Sequence, residues 1–411
     1  MSTSNVGTAS LSHRAAALLP NAAAKVPTGA IPFDSGHAFP GVLPDLSEES
    51  NKALGSFRPE TLQYAPRPGL LELREWIAEY LRADGVAHRS AEGILVTNGA
   101  KHALELVCRL LLNEGDAIVV TAPTYFTAIP IFRSFAVEFI EIAQDSEGLN
   151  AKELQDGLRK RAARGDRLPK FIYDVPDFHN PTGVTMSYAR REALLDVAEE
   201  FGIFIVEDSP YRRVRFDGES QPSLEGLDRR RRVLTLGTFS KLLAPGLRIG
   251  WLSGAPDLLN RVVQLKADGG SCPLTQRIIL EFCKSGRLSS HIDVVQRTYR
   301  THRDSMAAAL HREIPEASFD KPQGGYYIWL TFPVQTDTDA LAKLALTEGA
   351  VVLPGSKFFA RCATGSTAGI PGNYMRLAYS HATPAEIDEG ISRLARAYRS
   401  LKLAKSRHQK K

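Results

Sequence analysis

Lys241 stands in the run Thr238-Phe239-Ser240-Lys241, just after the apolar segment Val233-Leu234-Thr235-Leu236 and just before the turn Pro245-Gly246 that leads to Arg248. A lysine amine can form an imine with a carbonyl group, and once released it can take up a proton. A lysine that merely snorkels to solvent has no reason to sit between a buried-looking strand and a tight turn. Three further clusters have the same setting. In Asn98-Gly99-Ala100-Lys101 a strand turns into a helix, so backbone N–H groups and the helix dipole together favour an anion. Glu207-Asp208-Ser209-Pro210-Tyr211 sets a carboxylate and a phenol after the apolar run Ile203-Phe204-Ile205-Val206, where a plain loop or capping carboxylate is the simpler alternative. Asn180-Pro181-Thr182-Gly183 is by itself no more than a turn. Far downstream, Asn373-Tyr374-Met375-Arg376-Leu377-Ala378-Tyr379 carries a guanidinium on a strand, and its planar fork matches a carboxylate.

The elements around these clusters must hold them. From about residue 70, helical periodicity alternates with short apolar runs. A helix is expected over residues 70–82, with Leu70, Leu73, Ile77 and Leu81 on one face, and a second through Leu104, Val107 and Leu111. Strands are expected at Gly93-Ile94-Leu95-Val96-Thr97, Ala117-Ile118-Val119-Val120, Val137-Glu138-Phe139-Ile140, Phe171-Ile172-Tyr173, Ile203-Phe204-Ile205-Val206, Val233-Leu234-Thr235-Leu236 and Arg248-Ile249-Gly250-Trp251. Several are apolar on both faces, as strands between two helix layers must be, and strand–helix–strand succession implies a mostly parallel sheet with right-handed crossovers. The fold class is therefore α/β. In such sheets ligands bind beyond the carboxyl ends of the strands, where the four clusters fall. After about residue 275 one long helical stretch, 274–310, leads to strands at Tyr326-Tyr327-Ile328-Trp329, Val351-Val352-Leu353 and Met375-Arg376-Leu377, the pattern of a smaller α+β domain. The expected organisation is an N-terminal arm (1–45) packing with the small domain, a large domain (46–280) and a small C-terminal domain (281–411).

Composition narrows the function classes. A chain of 411 residues, 43% hydrophobic and 24% charged, can bury a sizeable core without a metal or disulfide staple. Cys108, Cys272, Cys283 and Cys362 are widely spaced and form no CxxC pair, the pattern of a reducing compartment with no metal framework. The net charge of +5 resides partly in Arg229-Arg230-Arg231-Arg232 and a basic tail from Lys402, neither interleaved with aromatics as a nucleic-acid module requires. No apolar run approaches membrane-spanning length, so no membrane partner is expected. Ser2, Ser4, Ser10, Ser12, Arg14 and Lys25 give the start a faint transit-peptide flavour, yet with so few basic residues an arm and a cytoplasmic address are the preferred reading.

Taken together, the segment Gly237-Thr238-Phe239-Ser240-Lys241-Leu242-Leu243-Ala244-Pro245-Gly246-Leu247-Arg248-Ile249-Gly250-Trp251, the Asn180-Pro181-Thr182-Gly183 motif, Asp208 with Tyr211, and the Arg376 segment resemble fold-type I enzymes dependent on pyridoxal 5′-phosphate (PLP), in the class I/II aminotransferase group. The resemblance runs over roughly residues 36–393. With Lys321-Pro322-Gln323-Gly324-Gly325-Tyr326-Tyr327-Ile328-Trp329 it is closest to the 2-aminoadipate, kynurenine and aromatic aminotransferase-like subgroup. It implies a large PLP-binding domain whose mostly parallel sheet is sandwiched by helices, and ping-pong transfer of an amino group from an α-amino acid to a 2-oxo acid. It further implies PLP held on Lys241 as a Schiff base, its ring nitrogen paired with Asp208 and its phenolic oxygen with Tyr211 and Asn180. The phosphate falls to Gly99, Ala100, Lys101, Ser240 and Arg248, with Tyr125 against the ring. Arg376 takes the substrate carboxylate, and Gly36, His37 and Phe39 line the substrate pocket with Asn180. Tyr64, in Gln63-Tyr64-Ala65-Pro66, resembles a tyrosine that reaches the phosphate of the neighbouring subunit, which implies a homodimer with shared sites. Two positions depart from the pattern: Lys101, where close relatives usually carry glutamine, and His179, where glutamine or a similar residue is commoner. The same scaffold also runs lyase, decarboxylase, oxidase and cyclase chemistry. It also occurs in PLP-binding regulators behind a helix-turn-helix domain, for which the roughly 35 residues before Gly36 are too few.

Overall fold

The computed structural model describes residues 12, 15, 26–86, 89–361 and 369–408. Ser2, Ser4, Ser10, Arg14, Lys25, Cys362 and the end of the basic tail lie outside the described residues. In chain order the strands are β1 (Ile31–Pro32), β2 (Ile94–Thr97), β3 (Ala117–Ala122), β4 (Glu138–Asp145), β5 (Gly148–Leu149), β6 (Phe171–Asp174), β7 (Phe204–Asp208), β8 (Val233–Thr238), β9 (Gly250–Ser253), β10 (Tyr327–Thr331), β11 (Ala350–Val351), β12 (Leu353–Pro354) and β13 (Tyr374–Ala378).

The large sheet has the order β2-β9-β8-β7-β6-β3-β4-β5. Its central strands pair in parallel from β8 through β4, while β9 is antiparallel to both β8 and β2. Because β9 reverses direction twice over, β2 runs the same way as the parallel strands, and its carboxyl end reaches the same edge. Alternate residues of these strands enter two different cores, as the two-residue repeat requires. Ile118, Val120, Phe171, Tyr173, Val206, Leu234 and Leu236 pack with Leu104, Leu106 and Val107 of the helix Ala100–Leu111. Val119, Ile172, Ile205 and Val233 face the other way, toward Leu154, Leu158, Leu194 and Val197. The result is an α/β sheet with helices on both faces.

Beyond it, β10, β13 and β12 form a three-stranded antiparallel sheet, against which the helices Arg287–Glu313 and Pro384–His408 pack through Met306, Leu310, Ile387 and Leu394. The short strand β1 pairs in parallel with β11. Three local expectations need correction. The stretch 274–310 is two helices, Pro273–Lys284 and Arg287–Glu313, parted at Gly286, whose φ of 78° is left-handed and ends the first helix. Val351-Val352-Leu353 is not one strand, because Val351 pairs with β1 whereas Leu353 pairs with β13. Arg248 precedes its strand: its φ of 55° and ψ of 35° place it in a left-handed turn, and β9 starts at Gly250. Among the described residues no helix is long and apolar enough to cross a membrane.

Candidate active site

Strands β2, β6, β7 and β8 end on one edge of the sheet, and the residues just beyond them border a single cavity of about 660 Å³. Lys241, Ser240, Asp208, Tyr211 and Asn180 reach it from those ends, joined by Ala100 and Lys101 from the helix start, Tyr125, Arg248, Gly36 and, from β13, Arg376. Gly99 lies directly behind this wall as the helix N-cap, with a φ of 84°. That angle strains any residue with a side chain, and a Cβ there would also come within 2.7 Å of Arg248 Nη2 and push the guanidinium aside. Arg248 itself is steadied by donating to Pro245 O and Asn98 O, each at 3.3 Å. Thr238 Oγ1 donates to Ser240 Oγ at 3.0 Å. The open N–H groups of a helix, a hydroxyl and two cations thus make an anion cradle at this end of the cavity.

Lys241 is only partly exposed, where it borders the cavity. Its Nζ donates to Gly36 O at 2.7 Å and stands 5.1 Å from the centroid of the Tyr326 ring. Burial, reinforced by the like charges of Arg376, Arg248 and Lys101, lowers its pKa to about 8. The amine is therefore available near neutrality, which an ordinary lysine is not.

Asp208 is buried at the end of β7. Its Oδ2 accepts from the Tyr173 hydroxyl at 2.7 Å, and its Oδ1, equally buried, has no partner. Burial raises its pKa to about 6, only partly offset by the Tyr173 hydrogen bond. A buried carboxylate oxygen with no donor is costly, so its retention points to a donor brought by a ligand. Tyr211 donates to the Tyr327 hydroxyl at 3.3 Å, and burial pushes the phenols of Tyr211 and Tyr125 up, keeping both protonated.

At the other end Arg376 is 1% exposed and stacks 4.1 Å from the centroid of the Tyr327 ring. It donates from Nη1 to Asn180 Oδ1 at 2.9 Å and from Nη2 to Asp34 O, while Nε has no partner. Among the described residues no carboxylate pairs with it. A buried guanidinium held by neutral acceptors alone is set for an acid that arrives with a ligand. Asn180 Nδ2 is also buried without a partner.

Two sequence expectations fall elsewhere. Tyr64 is 87% exposed and outside the cavity of its own chain. Phe39 is not a lining residue: its ring packs edge-on to His302 and its N–H donates to the Tyr299 hydroxyl, so the long helix holds it away from the cavity. His37 does border the cavity. Sequence reasoning passed over Asp34, Phe126, Thr127, Tyr327 and Leu353, which also line it, and Tyr173, which holds Asp208. Tyr173 carried a usable signal, since a phenol inside an apolar strand needs a buried acceptor. Among the described residues no three His, Cys, Asp or Glu side chains gather as metal ligands.

Comparison with known proteins bears on this arrangement. Residues 25–394 match the family described as aminotransferase class I and II. Aromatic-amino-acid aminotransferase 1 of Thermococcus litoralis is 36% identical over 85% of this chain and 83% of its own. The 2-aminoadipate transaminase of Thermus thermophilus is 34% identical over 91% of each. A crystal structure of the kynurenine aminotransferase of Pyrococcus horikoshii in complex with PMP superposes with a TM-score of 0.85, at 33% identity over 91% of each chain. An uncharacterized helix-turn-helix regulator of Bacillus subtilis, YdfD, is 32% identical over 82% of this chain but only 67% of its own. With its sheet, its cavity and a family match over most of its length, this chain belongs to the class I and II aminotransferases, within the 2-aminoadipate, kynurenine and aromatic subgroup, and is an enzyme of amino-group transfer.

Proposed function

We propose that this enzyme uses PLP to move an amino group from an α-amino acid to a 2-oxo acid, the two substrates occupying the cavity in turn. The observation that carries the reading is Arg376, buried without an acidic partner on the same cavity as a lysine whose pKa is lowered to about 8. The residues present fit the cofactor. Asp208 Oδ1 lacks the donor that a protonated ring nitrogen brings, and Gly99 leaves room for the Arg248 guanidinium of the anion cradle, which a Cβ would crowd. Gly99, Ala100, Lys101, Ser240 and Arg248 would hold the phosphate, Asn180 and Tyr211 the phenolic oxygen, Tyr125 the ring face, and Lys241 the aldehyde carbon. When bound, PLP supplies an electron sink for the bonds at the substrate's α-carbon.

The chain's own residues do the rest. Arg376 fixes the α-carboxylate and so orients the α-carbon toward Lys241. Lys241 Nζ, about half neutral near pH 8, takes the proton from the substrate's α-carbon and holds it for delivery elsewhere in the same cavity. Asp208, once given its missing donor, stays ionised and holds a positive charge on the ring nitrogen. The Tyr173 hydroxyl keeps that carboxylate aimed.

The same reading includes a homodimer in which exposed Tyr64 serves the partner's phosphate, and a cytoplasmic address, in keeping with thiols at Cys108, Cys272 and Cys283 that form no disulfide. It also includes the division into arm 1–45, large domain 46–280 and small domain 281–411, supported by the separate sheets at 94–253 and 327–378. Single-turnover stoichiometry tests the reaction. One equivalent of amino acid should yield one of 2-oxo acid and one of enzyme-bound pyridoxamine phosphate, and borohydride should fix the cofactor to Lys241. Release of ammonia or carbon dioxide, uptake of oxygen, or an adduct on another lysine would overturn it.

A further inference from the structure

We propose that His179 is a positioning residue that fixes the Asn180 amide in the cavity, acting through the loop between them and not by touching substrate. The proposal rests on the reading above, in which Asn180 serves the cofactor's phenolic oxygen.

His179 is buried, and both ring nitrogens are engaged. Nε2 lies 3.0 Å from Thr121 Oγ1 and Nδ1 lies 3.1 Å from Thr182 Oγ1. The pattern of protons follows from counting donors. Thr182 has one hydroxyl proton and gives it to Gln144 Oε1 at 3.0 Å, so toward His179 it accepts. Nδ1 therefore carries the ring proton, and Nε2 accepts from the Thr121 hydroxyl. Burial agrees with a neutral ring, holding the imidazole pKa down to about 3. Asp174 Oδ1 stands 3.7 Å from Nε2, but burial also raises that carboxyl, to about 7, and its short contact is with the Val175 N–H at 2.7 Å, so no ion pair competes for the ring.

The main chain closes the same loop twice: His179 N donates to Val184 O at 2.8 Å, and Gly183 N donates to His179 O at 2.7 Å. Thr121 belongs to β3 and Gln144 to β4, so the imidazole ties the turn carrying Asn180 to β3 and holds Thr182, whose hydroxyl in turn reaches β4. That turn has one way to present Asn180. A guanidinium only donates, so Arg376 commits Oδ1, at 2.9 Å, and leaves Nδ2 as the free donor. A tilt of the turn would displace that donor and the Arg376 fork together.

The test follows the visible band of the PLP-loaded enzyme against pH. His179→Phe keeps a ring of similar size and removes both nitrogens. A weakened donor to the phenolic oxygen disfavours the deprotonated form, so the band's midpoint should rise by about one unit, tenfold in that equilibrium. KM for both amino acid and oxo acid should rise with it, the melting temperature being nearly kept. In an Asn180→Ala background His179→Phe should move the midpoint no further. A midpoint and KM unmoved in the single variant, or a shift of equal size without Asn180, overturns the proposal. Should His179→Phe not fold, Thr182→Val removes the acceptor for Nδ1 and should shift the midpoint the same way, and an unmoved midpoint there is equally fatal. An unmodified enzyme with no visible band would instead overturn the cofactor reading on which the proposal stands.

Discussion

Replacing Arg376 by alanine should disable both halves of the transfer to a similar extent. In the structure the guanidinium is 1% exposed, donates to Asn180 Oδ1 and Asp34 O, and has an unused Nε. A substrate carboxylate would take up Nε and contest the Asp34 contact, gaining two bonds between opposite charges at the expense of one to a neutral carbonyl. At about 1.5–3 kcal/mol for each charged bond, less about 1.5 for the bond given up, the net loss on truncation is roughly 3 kcal/mol. Since about 1.4 kcal/mol is a factor of ten, kcat/KM should fall by about two decades. Stopped-flow measurement of each half-reaction, amino acid against the PLP form and oxo acid against the pyridoxamine form, reads this directly. Arg376→Lys should recover part of the loss, because an ammonium restores charge but not the planar fork. A loss under about threefold, or one confined to a single half-reaction, would refute the assignment of Arg376 to the shared carboxylate. The melting temperature and the visible band of the loaded variant must be retained for the comparison to count.

Two other perturbations probe different parts of the site. Asp208→Asn should stabilise the cofactor-free protein while weakening PLP binding: the folded pKa of about 6 lies above the usual 3.8, so the ionised carboxylate is penalised at every pH above 6 and relieved as pH falls. The gain should be on the order of 2–3 kcal/mol at most at pH 8 and shrink by about half at pH 5; a variant less stable than the parent at pH 8, or an advantage that grows on acidification, contradicts it. Mixing Tyr64→Phe chains with Lys241→Ala chains should give heterodimers more active than either parent, since one site then collects both defects and the other is spared, and no recovery in verified heterodimers would place each site within one chain.

Most of the cavity wall was legible in the chain because its parts are local. Lys241, Asp208, Asn180 and the Gly99 turn each follow an apolar strand, and a short run of β-branched residues is enough to mark a strand end in an α/β sheet. The two-residue repeat likewise sorted Ile118 and Val120 from Val119 into opposite cores. Helix boundaries set by a left-handed glycine were harder, because Gly286 breaks a pattern whose apolar period continues on either side of it. What the three-dimensional structure alone decided is partnership. Asn180 and Arg376 are 196 residues apart, Asp34 and Arg376 are 342 apart, and Gly36 meets Lys241 across 205. No periodicity encodes those distances, since each contact depends on how two sheets and the arm dock. The same holds for Tyr173 beneath Asp208 and for His179 between Thr121 and Thr182, whose hydrogen bonds exist only where buried polar groups had to find one another. Residue types and strand ends thus told which groups could do chemistry, and burial together with long-range docking determined which nitrogen, oxygen and proton each would hold.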